Sequence, residues 1–316
     1  MSFLGVENSL TGRRWLGLGI DLERAAEHMQ QQTGLPAPLC QVLARRGVPA
    51  HEAKGFLTPQ LKDLLPDPRR LKDMEVAATR FLQAVEKRER IAIFADYDVD
   101  GGSSAALLMV WLRAMGLQAT LYIPDRIDEG YGPNDEAMSA LARDHDLIIC
   151  VDCGTLSHGP IAAAKGADVV VLDHHLGGET LPDCVAVVNP NRQDEDGDLG
   201  YFCAAGVVFL MLVETRRQAR EKGLGTGPDL LSLLDLVALA DVSRMDAAPS
   251  TYHLGFLLGP RVNAGGRIGK ADLGARLLAT DNPHEAAALA ERLDQLNTER
   301  RDIENAVRAA AMEQAE

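Results

Sequence analysis

The sequence predicts an α/β fold, a mostly parallel sheet flanked by helices, with a helical region before the sheet and a long helix at the C-terminal end. Short apolar segments alternate with helical patterns between residues 91 and 188, as in sheets whose parallel strands are joined by helices. Apolar residues at helical spacing dominate on both sides of that region. The 316 residues, 46% hydrophobic and 25% charged, suit one large or two small globular domains.

The residues before the sheet, 1–90, predict a helical N-terminal region. Apolar residues keep helical spacing in two stretches, Leu22, Ala25, Ala26 and Met29 and then Leu39, Val42 and Leu43. Breaks at Thr58-Pro59 and at residues 65–68 interrupt this pattern, because proline cannot continue a helix. An amphipathic helix is then predicted over residues 75–87.

The central region predicts five strands and the helices between them. Apolar runs typical of buried strands lie at 91–95, 119–123, 147–151, 169–172 and 185–188, and helical patterns at 104–115, 135–143 and 161–165. This alternation predicts right-handed crossovers and therefore a mostly parallel sheet. In such sheets ligands bind beyond the carboxyl ends of the strands.

The remaining residues predict mainly helices. A Gly-rich stretch at 223–228 is a loop or helix break, and residues 284–316 form a charged helix with one apolar face. No stop signal ends that helical pattern, so we expect the natural chain to be longer. The predicted domains are a helical region over 1–90, an α/β domain over 91–240, and a helical extension over 241–316 that contains a Gly-Pro-Arg loop.

The charge balance restricts the class of partner. With 32 basic and 46 acidic residues the net charge is −14, which argues against broad coating of nucleic acid but suits carboxylates gathered around divalent ions. Only 4% of residues are aromatic, so a wide base-stacking platform is not expected. The five cysteines are scattered along the sequence, a pattern that fits neither a disulfide framework nor paired zinc knuckles, so we interpret them as reduced thiols. With no signal peptide and no apolar run of about 18 residues, a cytoplasmic protein without membrane partners is expected.

Acidic and histidine side chains follow three of the predicted strands. They are Asp96, Asp98 and Asp100, then Asp152, and then Asp173, His174 and His175. One Asp after a strand is more often a helix N-cap, and a single His pair is more often structural. Three such strand ends in one sheet instead favour a site for divalent ions such as Mn²⁺ or Mg²⁺, because caps would not need adjacent histidines. Two ions about 3.5–4 Å apart could activate a water and stabilise the leaving oxygen of a phosphoester.

Other kinds of site fit the sequence less well. No acid-rich loop has the ligand spacing of an EF-hand, and no Gly-x-Gly-x-x-Gly follows the first strand as in dinucleotide-binding folds. Phosphatases with an aspartyl nucleophile carry Asp-x-Asp-Gly after a strand. That class leaves the motif at 173–175 unexplained and needs a later Lys and acid pair that is not recognisable here.

The acidic strand ends resemble the first three motifs of the DHH phosphoesterases. They read Asp-Tyr-Asp-Val-Asp-Gly at 96–101, Val-Asp-Cys-Gly-Thr at 151–155 and Leu-Asp-His-His at 172–175. Further stretches resemble the RecJ-like exonuclease branch of this superfamily: Glu-Gly-Tyr-Gly at 129–132, Val-Asn-Pro-Asn at 188–191, Gly-Pro-Arg-Val-Asn-Ala-Gly-Gly-Arg at 259–267 and Leu-Asn-Thr-Glu-Arg-Arg at 296–301. The resemblance extends over nearly the whole chain.

The resemblance implies a set of metal ligands, and it implies that the catalytic residues are Asp98, Asp100, Asp152, His174 and His175. Asp98 and Asp100 are expected to bind metal, with Asp96 in support. Asp152 is expected to bridge two ions of Mn²⁺ or Mg²⁺, and His174 to bind metal as well.

The resemblance also implies contacts to substrate. His175 is expected to bind or orient the phosphate, and Tyr131 to lie against the substrate. Arg261, Asn263 and Arg267 are expected near nucleic-acid phosphates. The two arginines could be ordinary surface charge, but a Gly-rich loop lets a backbone approach closely and Arg binds phosphate bidentately.

The sequence departs from the family's pattern after Ala238. The fourth motif, typically Val-Ala-Leu-Gly-Thr-Val-x-Asp-Val-Val-Pro-Leu, begins correctly but continues here as Leu-Ala-Asp-Val-Ser-Arg-Met-Asp at 239–246. Asp241 is either a shifted fourth metal ligand or part of the helix that normally precedes residues 252–255, with the true motif absent. The second interpretation is favoured, since Thr-Val and Val-Pro-Leu are both missing.

The predicted function is that of a RecJ-like 5′-to-3′ exonuclease, which hydrolyses single-stranded DNA with metal assistance in DNA repair and recombination. By resemblance, single-stranded-DNA-binding protein and a helicase are expected partners. The family's DNA-threading domains follow the long helix, which is truncated here, so the activity of this chain is left open. The alternatives are a small-nucleotide phosphoesterase with the same metal site and a partial chain that keeps the fold with little or no activity.

Overall fold

The computed structural model describes residues 2–126, 128–242 and 258–315. By their contacts the residues form two compact units, Met1–Asp67 and Pro68–Glu316. The helix expected at 75–87 therefore lies in the same unit as the sheet, while the domain division at 90 and 240 stays a prediction. The expected continuation of the Asp241 helix, over residues 243–257, lies outside the described residues.

The first unit is helical, as the sequence predicts. Its helices are α1 (Ile20–Thr33), α2 (Ala37–Arg45), α3 (Ala53–Leu57) and α4 (Leu61–Leu64). The core of this unit is small and consists of Ala26, Met29, Cys40, Leu43, Ala44, Val48 and Ala53. Val42, expected on the apolar face of its helix, is instead 54% exposed, because α2 turns Leu43 and Cys40 inward.

The second unit contains the sheet and the helices around it. In chain order its elements are α5 (Met74–Lys87), β1 (Ile91–Ala95), α6 (Val99–Ala114), β2 (Ala119–Tyr122), α7 (Asp135–Asp144), β3 (Leu147–Val151), α8 (His158–Ala163), β4 (Asp168–Leu172), β5 (Ala186–Val188), α9 (Ala204–Glu221), α10 (Leu234–Val242), α11 (Gly259–Ile268), α12 (Leu273–Ala279) and α13 (Pro283–Ala315). The predicted strands are confirmed to within one residue at each end.

The five strands form one parallel sheet in the order β2-β1-β3-β4-β5. β1 and β3 are buried along their whole length, as expected for central strands covered on both faces. Residues of α7 and α8 join the core with alternate residues of the strands, among them Phe94 and Cys150. α5, α6 and α9 pack against one another and against the sheet.

The strand order fixes where a site can form. From β1 the chain runs outward to the edge strand β2 and then crosses back to β3 on the other side of β1. Ligands of open α/β sheets bind at such a reversal, outside the carboxyl ends of the strands. Asp96 follows β1, Asp152 follows β3 and Asp173 follows β4, so all three side chains begin at this edge.

Helix α6 begins five residues earlier than the predicted 104. The carboxylate of Asp98 accepts hydrogen bonds from the backbone N–H groups of Asp100, at 2.8 Å, and Gly101, at 3.2 Å, and so caps the helix. A Cβ at Gly101 would lie 2.4 Å from the carbonyl oxygen of Asp96, so only glycine permits this early start. The acidic motif therefore lies on the first helical turn, and Asp100 belongs to α6.

The prediction of a Gly-Pro-Arg loop is wrong, because residues 259–268 form helix α11. Pro260 lies in its first turn, where proline lacks no needed hydrogen bond. A Cβ at Gly266 would lie 2.6 Å from the carbonyl oxygen of Tyr97. Glycine here serves close packing of α11 on the segment after β1.

The long C-terminal helix is present as predicted. α13 covers Pro283–Ala315, and Leu289, Leu293 and Leu296 are buried along its inner face. Its contacts are with α11 and α12. Among the described residues, no helix combines the length and the apolar character needed to cross a membrane.

Candidate metal centre

Two groups of side chains at the carboxyl edge of the sheet could each hold a metal ion. The aspartate cluster consists of Asp96, Asp98 and Asp152, and the histidine cluster consists of Asp152, His174 and His175. Within each cluster, one ligand atom from every residue lies within 4.8 Å of the others. Asp152 belongs to both clusters, so the two candidate sites are adjacent.

Asp96 lies in an environment that disfavours its charge. Its side chain is 4% exposed, and its Oδ1 atom accepts no hydrogen bond from the described residues. Burial, followed by the nearby carboxylate of Asp98, raises the pKa of Asp96 to about 7. The positive charge of a bound cation would offset both causes of this shift.

Asp152 is the most constrained member of the clusters. Its backbone has φ of 60°, in the left-handed region that non-glycine residues rarely adopt. Burial and the carboxylates of Asp100, Asp98 and Asp96 raise its pKa well above the usual range. Its Oδ1 atom accepts no hydrogen bond from the described residues. Backbone strain and an unsatisfied buried oxygen together are typical of a functional site.

Asp100 connects α6 to the start of α9. Its two carboxylate oxygens accept the backbone N–H groups of Ala204, at 3.0 Å, and Ala205, at 2.9 Å. These donors belong to the first turn of α9, whose N-terminal dipole favours a negative charge. One oxygen also lies 3.6 Å from Nε2 of His174, which brings Asp100 to the side of the histidine cluster.

The ring of His174 is oriented by a backbone carbonyl. Nδ1 lies 3.1 Å from the carbonyl oxygen of Phe202, which can only accept, so Nδ1 carries the proton. In the neutral ring Nε2 then has a lone pair, and it lies 3.2 Å from Oδ1 of Asp152. A carboxylate oxygen facing a nitrogen lone pair is unfavourable unless a proton or a cation lies near both. Histidine ligands of metals usually donate their other N–H in this manner.

His175 is oriented by Asp173, and its far side faces the exposed edge of the site. Its Nδ1 lies 2.8 Å from Oδ1 of Asp173, and its Nε2 lies 3.3 Å from the hydroxyl of Tyr131. That hydroxyl also lies 3.5 Å from the carbonyl oxygen of Asp152. Burial and the nearby Asp96 raise the pKa of Tyr131, so its hydroxyl stays protonated and can donate.

Asp173 lies beneath the histidine cluster. Its oxygens accept hydrogen bonds from the N–H and hydroxyl of Thr155, at 3.1 and 2.7 Å, and from the ring of His175. Burial acts to raise its pKa, but the hydrogen bonds from His175 and Thr155 outweigh burial and hold the pKa well below its usual range. Asp173 is therefore a fixed negative charge that orients its neighbours.

The donor set fits a hard or borderline divalent cation. Carboxylate oxygens alone form the aspartate cluster, and imidazole nitrogen joins them in the histidine cluster, a mixture suited to Mn²⁺ or Mg²⁺. The unsatisfied buried oxygens of Asp96 and Asp152 are the atoms that a cation would satisfy. Every acidic and histidine residue predicted as a ligand, apart from Asp241, lies at this edge; their role as ligands stays a prediction.

The predicted substrate residues on α11 lie on different faces of that helix. Arg261 pairs with Asp294 of α13 at 2.7 Å. Arg267 is exposed at the end of α11 and lies near Tyr97, on whose pKa it acts. Oδ1 of Asn263 is a buried atom that accepts no hydrogen bond from the described residues. Of the two arginines, Arg267 lies near the segment that carries the aspartate cluster.

Asp241 lies at the C-terminal end of α10, one residue before its last. It belongs to neither cluster. Leu239, two residues earlier, packs with Val99 of α6 and Val262 of α11, so α10 reaches the helices beside the site. The assignment of Asp241 as a ligand stays a prediction.

Several residues at the site do not appear among the predicted site residues. The guanidinium of Arg126 lies 5.2 Å from the ring centre of Tyr97 and lowers the pKa of Asp96, so it is a cation beside the aspartate cluster. Asn189 and Asn191 follow β5, and their side-chain amides donate to the backbone carbonyl oxygens of the histidine segment, which is His174 and His175. Both could be found by extending the strand-end rule to the fifth strand. No sequence pattern marks Arg126.

The sheet and the two adjoining clusters define the class of protein. Residues 90–240 match the model of the DHH family, N-terminal domain. Residues 90–240 therefore form a domain of the DHH family.

Within this family the chain is similar to single-stranded-DNA-specific exonucleases. It is 34% identical over 334 aligned positions to the single-stranded-DNA-specific exonuclease RecJ of Salmonella typhimurium. The alignment covers 91% of this chain and 57% of that protein. RecJ of Bacillus subtilis is 32% identical, with 91% of this chain and 40% of that protein covered. The chain spans about half the length of the curated relatives it matches.

Solved structures show the same fold. RecJ from Thermus thermophilus in complex with Mn²⁺ superimposes with a TM-score of 0.75 at 26% identity, over 95% of this chain and 47% of that chain. An exonuclease RecJ bound to manganese gives a TM-score of 0.67 at 29% identity, over 77% of this chain and 70% of that one.

Proposed function

We propose that the chain is the catalytic part of a 5′-to-3′ exonuclease that hydrolyses single-stranded DNA with two ions of Mn²⁺ or Mg²⁺. The observation that carries this proposal is that two clusters share Asp152 at the reversal point of the sheet. A structural His or a simple helix cap would not require a second cluster beside it. The proposed substrate, single-stranded DNA, is inferred from the names of the relatives described above. Manganese is bound in two of the similar structures.

The residues fit a two-ion site with a distinct role for each cluster. Asp96 and Asp98 would hold one ion and His174, with Asp100, the other, while Asp152 would bridge them. Bound divalent ions supply Lewis-acid polarisation of the phosphate and a water of lowered pKa. Asp173 keeps the ring of His175 oriented, so that the hydroxyl of Tyr131, and Nε2 of His175 when the ring is doubly protonated, can donate to a phosphate oxygen.

Cationic side chains beside the clusters would bind the DNA backbone. Arg126 and Arg267 both lie near Tyr97, at the exposed side of the aspartate cluster. Each would contact phosphate, which Arg binds bidentately. The net charge of −14 makes such local cations necessary, because the chain as a whole repels DNA.

The test is hydrolysis of labelled single-stranded DNA by the purified chain over a Mn²⁺ series. We expect release of mononucleotides from a 5′-labelled strand, no hydrolysis of the matching duplex, and loss of activity when EDTA removes the metal. Asp152→Asn is the inactive variant, and Asp168→Asn, which changes a carboxylate paired with Arg80 at 2.6 Å, is its control. Labelled and unlabelled dinucleotides are assayed in parallel.

Other outcomes distinguish the alternatives. Hydrolysis of dinucleotides but not of a longer strand would mean a small-nucleotide phosphoesterase with the same metal site. Metal binding without hydrolysis of either substrate would mean a chain that keeps the fold and the ions but not turnover. Equal hydrolysis by Asp152→Asn and the unmodified chain would contradict the proposed site.

The cellular setting belongs to the same proposal. As expected from the sequence and the family resemblance, the chain would act in the cytoplasm, in DNA repair and recombination, together with single-stranded-DNA-binding protein and a helicase. Titration of each purified partner into the chain tests this part. Absence of binding at micromolar concentration would remove the partner without affecting the proposed reaction.

A further inference from the structure

The histidine segment is held by side chains on all four of its backbone polar groups. The N–H groups of His174 and His175 donate to Oδ1 of Asp173, at 2.7 and 3.2 Å. The carbonyl oxygen of His174 accepts from Nδ2 of Asn191 at 2.5 Å, and that of His175 from Nδ2 of Asn189 at 2.8 Å. Because its backbone is fixed in this manner, the segment also fixes the directions of the two Cα–Cβ bonds from which the rings project.

Both asparagines follow β5, and they bond to each other. Oδ1 of Asn189 accepts the backbone N–H of Asn191 at 2.8 Å. Carbonyl oxygens only accept, so the amide nitrogens must face the histidine segment, and this fixes the orientation of both side chains. Asn189 is fully buried, and its Nδ2 also donates to Oγ1 of Thr155 at 2.8 Å. Thr155 in turn donates to Asp173, so one network supports the segment from above and below.

The loop that carries these asparagines is anchored away from the site. Arg192 is 8% exposed and donates from Nη1 to Oδ2 of Asp73 at 2.7 Å and to the carbonyl oxygen of Val187 at 2.6 Å. Its Nε donates to Asp194 at 2.9 Å. The loop therefore has a fixed position relative to β5 and to the start of α5.

We propose that Asn189 and Asn191 are positioning residues for the histidine cluster, which hold Nε2 of His174 toward Asp152 and Nε2 of His175 toward the substrate side. The proposal rests on the metal site of the proposed function. The two amides touch neither metal nor substrate; they act through the backbone of the histidines. Residues that orient a metal-binding His typically change metal affinity by about 10–100-fold when they are removed.

The experiment compares Asn189→Ala and Asn191→Ala with Gln218→Ala. Gln218 is also a buried amide, and its Nε2 donates to the carbonyl oxygen of Glu75 at 3.2 Å and to Glu214 at 3.1 Å. It lies 14 residues beyond the start of α9, about 21 Å along the helix from the site. All three changes remove an amide without adding charge. If Asn189→Ala fails to fold, the comparison is made between Asn191→Ala and Gln218→Ala alone.

Two quantities are measured on each folded protein. Calorimetric titration gives the dissociation constant for Mn²⁺, and ¹⁵N NMR of the imidazoles in the metal-free protein gives the tautomer of His174. We expect Mn²⁺ affinity about 10–100-fold lower in the asparagine variants. We also expect the Nδ1–H tautomer of His174 to give way to a mixture in those variants. Gln218→Ala should lose thermal stability but keep both quantities.

The outcomes separate this proposal from the proposed function. An unmodified chain that binds no Mn²⁺ contradicts the metal site, and the NMR comparison in the metal-free protein still decides whether the asparagines orient the ring. Mn²⁺ binding with equal affinities and equal His174 spectra in all variants overturns the positioning role and leaves the proposed function intact.

Discussion

The aspartate cluster and the histidine cluster share Asp152 but are held in place by different means. In the histidine cluster hydrogen bonds fix both rings, and the underlying Asp173 keeps its charge. In the aspartate cluster Asp96 lacks a hydrogen bond to one buried oxygen from the described residues, and the pKa values of Asp96 and Asp152 are raised. The rings of the histidine cluster are therefore oriented by hydrogen bonds, whereas the carboxylates of the aspartate cluster repel one another until a proton or a cation binds.

This difference assigns separate tasks to the two sides. A preorganised imidazole selects geometry, because its lone pair already points at a defined position. A group of crowded carboxylates supplies affinity, because a divalent ion replaces the protons that the carboxylates would otherwise bind. The shared Asp152 couples the two, so that an ion on one side also changes the charge felt on the other.

The largest expected effect is that of Asp152→Asn, which alters both clusters at once. Asparagine tolerates the left-handed backbone at this position and has the same shape, so the fold should persist. Loss of a ligand common to both ions should weaken Mn²⁺ binding by about 10²–10⁴-fold, from 10–100-fold per ion. Calorimetric titration measures this, with Asp168→Asn as the control. Equal Mn²⁺ binding in the two variants would contradict a bridging carboxylate.

The next effect is a pH dependence specific to the aspartate cluster. With the pKa of Asp96 raised to about 7, the metal-free folded chain binds more protons than the unfolded chain between about pH 4 and 7. Stability should therefore fall as the pH rises, by about 2–3 kcal/mol between pH 5 and 8 from this group alone. Urea unfolding in EDTA measures it, and Mn²⁺ affinity should rise over the same window.

Asp96→Asn is the matched variant for the pH experiment. An amide does not titrate, so the slope of stability against pH should become shallower while the histidine cluster is untouched. A slope as steep as that of the unmodified chain would assign the effect to other groups, of which Asp152 is the first to examine.

A smaller effect should come from the histidine side alone. Thr155→Val removes the hydroxyl that donates to Asp173 at 2.7 Å and that accepts from Asn189. Leaving buried partners unsatisfied should cost about 1–3 kcal/mol of stability, and Mn²⁺ affinity should fall by about tenfold. The pH slope set by Asp96 should persist. A flattened slope in Thr155→Val would show that the two clusters are not separately held.

The sequence predicts the sheet and the acidic edge well for a physical reason. Buried parallel strands read as continuous apolar runs, and residues just beyond them must converge on one edge whatever the loops do. The sequence is a poorer guide to features that depend on tertiary contacts. The glycines of α11 indicate a loop by composition but serve close approach to Tyr97, and Arg126 carries no pattern because only the fold brings it to Asp96.

A further modest effect concerns the DNA side of the aspartate cluster. Arg267→Ala should reduce the salt dependence of single-stranded DNA binding by about 0.7–1 unit of log–log slope, as expected for one lost phosphate contact. Arg261→Ala should change the slope less, because Arg261 pairs with Asp294 on α13. Fluorescence anisotropy over a NaCl series with Ca²⁺ or no metal measures both. The reverse order would place the phosphate contact at Arg261.

The smallest expected effect is that of Asp241→Ala, and it tests whether the metal site has a further carboxylate. Asp241 lies near the end of α10 and belongs to neither cluster, so we expect its replacement to change Mn²⁺ affinity by less than about twofold, within the scatter of surface substitutions. Asp235→Ala, at the exposed start of the same helix, is the control. The two variants should match each other and the unmodified chain both in calorimetry and in hydrolysis of single-stranded DNA. A loss of Mn²⁺ affinity of about tenfold or more in Asp241→Ala alone would contradict this expectation and would place Asp241 in the metal site, either as the shifted fourth ligand or as a residue that orients a ligand.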